Sequence, residues 1–262
     1  MNKQISKIFG KFASHSFPKP MQKFINQSYV KLFGIDLSEF DEAQSYPSLN
    51  HLFTRELKKE RKIDRAEAVW VSPSDSLVMQ KGRVAHNMAL QIKGMSYCVS
   101  EFLGEVIDED YAYLNLYLSP KDYHRFHAPC DLEVLEVRYF GGELLSVNRS
   151  SLLKNHNLFI RNERVVVIAR DQWGRRFFYV AVGALNVGQM ILHFEPKLQC
   201  NARANESIVY TYEQPIKIAK GSEMGMFKMG STIVLFAQEL DFEVEIGQSV
   251  RFGERIGIRR GE

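Results

Sequence analysis

The spacing of apolar residues changes along the chain. Ile5, Ile8, Phe9 and Phe12 recur at helical intervals, and so do Met21, Phe24, Ile25, Tyr29, Leu32 and Phe33 after Pro18 and Pro20. Two amphipathic helices are predicted, the second expected to pack on the body of the protein. A further helix is expected over residues 49–57, ending in the charged run Lys58-Lys59-Glu60-Arg61-Lys62, which reads as solvated surface. From about residue 69 the texture becomes short strands. Val69-Trp70-Val71 runs into a Ser72-Pro73-Ser74-Asp75-Ser76 turn, and residues 111–118 alternate aromatic or leucine with small or polar residues. Further strands are expected over residues 132–138, 164–169 and 177–182. Near the end, Gly230-Ser231-Thr232 precedes Ile233-Val234-Leu235-Phe236, a tight turn feeding a buried strand.

A loose internal repeat lies in the C-terminal part. Residues 218–225 and 246–257 each read as a strand, a glycine turn and a second glycine before the next strand. Lipoyl and biotinyl barrel-sandwich modules have this pattern. The predicted class is therefore α+β: mainly antiparallel β, with a barrel-sandwich-like C-terminal part and N-terminal amphipathic helices.

Composition narrows the field. The chain has 262 residues, 45% hydrophobic and 25% charged, ordinary for a globular protein. A net charge of +3 gives no global basic field for nucleic acid. Cys98, Cys130 and Cys200 are widely spaced without a C-x-x-C pair, so neither a zinc site nor a disulfide framework is indicated. No run approaches the ~18 apolar residues of a membrane span, and the N-terminus lacks a secretory h-region. A cytoplasmic chain, or one attached to a membrane without crossing it, is expected. Residues 1–35 carry six lysines and no acidic residue, which suits the surface of an anionic bilayer. The same apolar faces would also suit packing within the protein or against a second subunit.

The densest chemistry lies in residues 119–131, where His124 and His127 stand among Asp122, Arg125 and Asp131. His-x-x-His admits a metal site, but no third ligand stands at motif spacing. A hydrogen-bonded core histidine and a general acid–base remain open. Ser231 invites comparison with an activated serine. Its hydroxyl could attack the Gly230 carbonyl and convert the peptide into an ester, whose elimination and hydrolysis would leave a pyruvoyl group. Alternatively Gly-Ser-Thr is only a turn, Ser231 is the nucleophile of a Ser-His-Asp hydrolase, or Lys228 is a carrier lysine. Asp75 in its turn could simply cap it. Residues 182–188, small and apolar, suit close backbone approach.

Several stretches, in order, resemble the phosphatidylserine decarboxylase family: Leu52-Phe53-Thr54-Arg55-Glu56-Leu57, the Ser72–Asp75 turn, residues 117–131, Asn162-Glu163-Arg164-Val165, residues 180–188, and Gly225 through Phe236. The resemblance covers roughly residues 45–260. It implies a proenzyme that cuts itself at Gly230–Ser231 into a β chain of residues 1–230 and an α chain of 231–262, whose pyruvoyl group derives from Ser231, with no metal. It assigns self-cleavage to Asp75, His127 and Ser231, and suggests His124 for decarboxylation. The pyruvoyl would form a Schiff base with phosphatidylserine and release CO2, giving phosphatidylethanolamine. Residues 1–40 would contact the membrane and 41–262 form the decarboxylase domain. Peripheral attachment on the cytoplasmic side and a homodimer are further implications. Ser76 stands where the family often has glycine, and Met229 where it often has leucine.

Overall fold

The computed structural model describes residues 9–108, 110–185, 189–198, 200, 206–228 and 231–260. Ile5, Ile8, Asn186, Val187, Gly188, Met229 and Gly230 lie outside the described residues. The helix Lys19–Phe33 starts at Pro18, carries proline in its first turn and ends at Gly34, whose positive φ and N–H to the Val30 carbonyl close the last turn. Its spacing agrees with the sequence reading, but its inward face does not. The fully buried side chains are polar: Gln22 donates to Asn26 at 2.8 Å, and Asn26 donates to the Ala43 and Tyr46 carbonyls at 2.9 Å each. Tyr29 and Val30 pack on the core, while Met21, Phe24 and Leu32 are 50%, 71% and 76% exposed.

The strands are β1 Val69–Val71, β2 Ser76–Arg83, β3 Met88–Ile92, β4 Met95–Cys98, β5 Ala112–Leu118, β6 Arg125–His127, β7 Leu132–Phe140 and β8 Arg164–Asp171. They continue as β9 Arg176–Val182, β10 Met190–Leu192, β11 Ser207–Ile218, β12 Glu223–Phe227, β13 Ser231–Ala237, β14 Leu240–Phe242, β15 Ser249–Val250 and β16 Arg255–Arg259. Eight form one sheet in the order β11-β7-β8-β9-β13-β5-β2-β15, and every pairing in it is antiparallel. Strand β13 lies inside it, between β9 and β5. Successive side chains of a strand point to opposite faces. Val234 and Phe236 therefore enter one core, with Phe102 and Phe178, while Ile233, Leu235 and Ala237 enter the other, with Trp70 and Phe177. Coverage on both faces explains why this strand is an unbroken apolar run.

The α+β class with a large antiparallel sheet is present, but the barrel-sandwich-like C-terminal part is not. Each sheet is an open series of strands, and the C-terminal strands are divided among three of them. Strands β11, β13 and β15 belong to the eight-stranded sheet, β12 joins β10 and β6, and β14 and β16 join β1. The repeat marks turns rather than a module. Gly221, Gly247 and Gly253 have positive φ, as the turns require, but a turn does not choose the sheet its flanking strands enter.

Glycine at position 225 is needed for another reason. A Cβ there would run into the Ile191 carbonyl and the Phe126 ring, both on neighbouring strands. Gly225→Ala, made in a Ser231→Ala chain to keep it uncut, should therefore lose about 1–3 kcal/mol of stability by forcing the β10-β12-β6 sheet apart. Urea unfolding at pH 7 reads the loss, and an unchanged midpoint would show that the strands separate without cost.

Candidate active site

The Ser72–Ser76 turn and β6 are joined through the backbone. The His127 N–H donates to the Pro73 carbonyl at 2.9 Å, and the Val71 N–H to the Pro129 carbonyl at 3.0 Å. This brings Asp75 beside β6. Its carboxylate accepts from Arg61 Nη1 at 2.5 Å and Nη2 at 3.0 Å, and from the Phe252 N–H at 2.7 Å. The Phe252 ring stacks on the His127 imidazole, with centroids 3.6 Å apart. Ser76, the departure from the family pattern, opens β2 opposite Val250 without positive φ, so serine is unstrained there.

His127 Nδ1 lies 2.9 Å from the Gly221 carbonyl. A carbonyl only accepts, so Nδ1 carries the proton. Burial pushes the imidazole down to about 4, which leaves it neutral near pH 7 with a lone pair on Nε2. That lone pair faces the Tyr123 hydroxyl at 3.2 Å. The ring opens onto a cleft of about 620 Å³ lined also by Arg61, Arg125, Lys220 and Glu223.

His124 shows the same anchoring without the second partner. Its Nδ1 donates to the Asp122 carbonyl at 2.8 Å, its ring meets Phe53 at 3.9 Å, and burial pushes it down to about 3. Nε2 is buried and has no hydrogen-bond partner among the described residues. The imidazole is thus a neutral base with an unused lone pair.

Ser231 opens β13 opposite Leu118, the last residue of β5. Its Oγ is fully buried and, among the described residues, also without a partner. Only nine residues, 119–127, carry the chain from Leu118 through the loop bearing His124 to the end of β6, and the Phe227 N–H donates to the His124 carbonyl at 3.0 Å. Asp75 and His127 form one cluster, while His124 Nε2 and Ser231 Oγ are both buried and, among the described residues, without a hydrogen-bond partner. Among the described residues no hydrogen bond joins any two of Asp75, His127 and Ser231.

Sequence reasoning missed Arg61, Tyr123 and Phe252. Arg61 lies in the charge run read as solvated surface, yet its side chain is only 10% exposed and bridges Asp75 to Glu39. Tyr123 stood inside the histidine segment without a role. Phe252, in the second repeat, had no local signal. Among the described residues no group of three or more His, Cys, Asp or Glu could hold a metal ion.

The two buried histidines set a pH dependence. Their folded values are depressed and the unfolded value is near 6.5. Protons therefore favour the unfolded chain between pH 6.5 and about 4, so stability is full above that window and lost as pH falls through it. In uncut Ser231→Ala protein, stability should drop by roughly 2 kcal/mol per buried histidine between pH 7 and pH 5. His124→Gln should remove about half of this slope in urea titrations. An equal slope in both proteins would mean that His124 titrates normally.

Comparison with known proteins identifies the family. The family model for phosphatidylserine decarboxylase matches residues 49–258. The chain is 50% identical over 259 residues to the phosphatidylserine decarboxylase proenzyme of Helicobacter pylori strain 26695, covering 98% of this chain and 97% of that protein. It is 41% identical over 266 residues to the Campylobacter jejuni proenzyme, with 97% and 98% covered. Identity to the mitochondrial proenzyme of Rattus norvegicus is 30% over 292 residues, with 97% of this chain and 71% of that protein covered. With the matched segment running from the helix before Arg55 to the last strand, the chain belongs to the phosphatidylserine decarboxylase family.

Proposed function

We propose a division of labour among these residues within a pyruvoyl-dependent phosphatidylserine decarboxylase, a lyase that releases CO2 from phosphatidylserine to give phosphatidylethanolamine. The observation that carries the reading is the buried, unpartnered Ser231 hydroxyl at the head of β13. Ser231 Oγ attacks the Gly230 carbonyl carbon and its proton passes to a base. The amide nitrogen leaves that carbon, takes up a proton, and an ester remains. Loss of the residue 231 α-proton expels the Gly230 carboxylate and leaves dehydroalanine. Water then displaces its amine as ammonia, leaving the pyruvoyl ketone. The site fits this group, because conversion removes a hydroxyl that makes no hydrogen bond among the described residues and leaves the β13 register intact from Thr232 onward.

His127 is assigned as the base for the Ser231 proton. Its tautomer suits the task, since Nδ1–H is held by the Gly221 carbonyl and Nε2 is the accepting atom. Tyr123 must first release that atom. Asp75 supports the imidazolium through space, its charge raising the proton affinity of His127. Once formed, the ketone supplies an electron sink for the pair left when CO2 departs. His124 is assigned to this later stage, where its bare Nε2 orients substrate or carries the proton delivered to the product carbon.

Residues 1–40 are taken as the membrane-contact part and 41–262 as the decarboxylase domain, cut into chains of 1–230 and 231–262. The exposed Phe24 and Leu32 beside exposed Lys19, Lys23 and Lys31 support peripheral contact with an anionic bilayer. Among the described residues no helix is long and apolar enough to cross a membrane. The processed unit is taken to be a homodimer on the cytoplasmic face.

Intact-protein mass tests the central step. Wild type should give two species split after residue 230, and Ser231→Ala a single uncut mass; equal uncut masses, even after incubation with lipid, would sink self-processing. His127→Ala should stay uncut. His124→Ala should be cut but turn over more slowly by on the order of 10²-fold in CO2 release from phosphatidylserine vesicles; normal turnover would remove His124 from the reaction. Phe24→Ser with Leu32→Ser should weaken the affinity for phosphatidylserine-containing vesicles, read by sedimentation titration, about thirtyfold or more, the loss expected for about 1–3 kcal/mol of apolar burial per side chain. Unchanged sedimentation would place membrane contact elsewhere.

A further inference from the structure

Arg55 is a buried cation that, among the described residues, hydrogen-bonds to no carboxylate; Asp75 and Asp122 act on it only through space. It is 2% exposed, and its partners are backbone carbonyls: Lys121 at 2.7 Å and Asp122 at 3.1 Å from Nη2, and Leu52 at 3.5 Å from Nη1. The guanidinium lies over the Phe40 ring, 4.5 Å from its centroid, and Nε has no partner among the described residues. Burying a charge without a directly paired counter-charge costs several kcal/mol, so such a group calls for a reason. Tying down a loop alone could be done by a neutral donor at less cost.

The Asp122 carbonyl provides that reason. It accepts from Arg55 Nη2 at 3.1 Å and from His124 Nδ1 at 2.8 Å. A carbonyl oxygen has two lone pairs, and these two donors use both. With the oxygen pinned by Arg55, the imidazole can meet it only through a protonated Nδ1, and the lone pair is then left on Nε2. We propose that Arg55 is a positioning residue for His124: it fixes the Asp122 carbonyl that sets the His124 tautomer and ring direction. This rests on the assignment of His124 to decarboxylation.

The charges around the ring agree with this arrangement. The Arg55 cation opposes a second charge on His124, adding to burial. The Asp122 carboxylate is turned back to the Ser119 N–H and hydroxyl, both at 2.7 Å. The side chain packed against the imidazole, with its ring tilted by 41°, is the uncharged Phe53. Arg55 is therefore the charged side chain with a direct hold on this group.

The test is nitrogen NMR of the histidine rings in uncut Ser231→Ala protein, with the His124 signals assigned by their loss in His124→Gln. The parent should show a neutral, Nδ1-protonated ring at pH 5.5. Arg55→Met should raise its titration by about one pH unit or more and mix the tautomers. Arg55→Lys keeps the charge but lacks the planar fork; it should mix the tautomers with a smaller titration change. In the processed enzyme, Arg55→Lys should lower kcat at least tenfold with KM for phosphatidylserine within about twofold, as expected for an effect on the chemical step. Should Arg55→Met fail to fold, Arg55→Lys alone decides. A single Nδ1-protonated tautomer in Arg55→Lys, titrating as in the parent, overturns the proposal. If the NMR signature moves but His124→Ala turns over normally, the role of His124 fails while the positioning by Arg55 stands.

Discussion

Strand β13 is hydrogen-bonded along both edges, to β5 and β9, and buried on both faces. Everything C-terminal to it depends on this placement. The chain leaves β13 to form β14, then crosses to place β15 at the edge of the large sheet, and returns as β16 between β1 and β14. The last thirty or so residues are thus woven into two sheets, and their core side chains each contribute about 1.5–3 kcal/mol of burial. A break in the backbone just before Ser231 would leave these ladders untouched. A fold that is to survive such a break needs the new end at the head of an interior strand. At an edge, or midway along a strand, the freed end would fray the sheet.

The same rigidity defines the histidines. Both rings give Nδ1–H to a backbone carbonyl, and both are kept neutral by burial. They differ at Nε2. That of His127 is engaged by Tyr123, whereas that of His124 has no partner among the described residues. A bare buried acceptor is costly to keep, and a carbonyl already engaged by Arg55 explains why the ring does not turn to satisfy it. Asp75 belongs to a further layer. Its charge is balanced by Arg61 and the Phe252 amide, so its effect on His127 passes through space rather than through a hydrogen bond.

Local features of this architecture were legible in the chain, and long-range ones were not. The apolar run after Ser231 announced an interior strand because covering both faces removes the polar alternation. Gly221, Gly247 and Gly253 announced turns, and their positive φ bears that out, whereas Gly225 and Gly257, the second glycines of the repeat, lie inside β12 and β16. The barrel-sandwich reading failed because identical turns can feed strands into different sheets, and that choice is made by distant partners. The site was legible as far as one segment carried it. His124 and His127 share a short motif, while Arg61, Arg55 and Phe252 reach it from elsewhere. The run around Arg61 looked like surface because its anionic partners, Glu39 and Asp75, are separated from it by 22 and 14 positions.

The Lys19–Phe33 helix shows how far helical spacing can mislead about direction. Periodicity identifies two faces but not which one turns inward. Here Asn26 finds the carbonyls of Ala43 and Tyr46, and these bonds hold the polar side against the body. Buried polar groups without partners would cost about 1–3 kcal/mol each, so the bonds decide the orientation once formed. Phe24 and Leu32 are then committed to the outside, next to lysines and with no acidic side chain on the helix. Water gains nothing from those side chains, and a protein partner would ordinarily meet the lysines with carboxylates. An apolar layer beneath anionic headgroups satisfies both halves of the face, which is why the helix orientation supports a bilayer as the surface it meets.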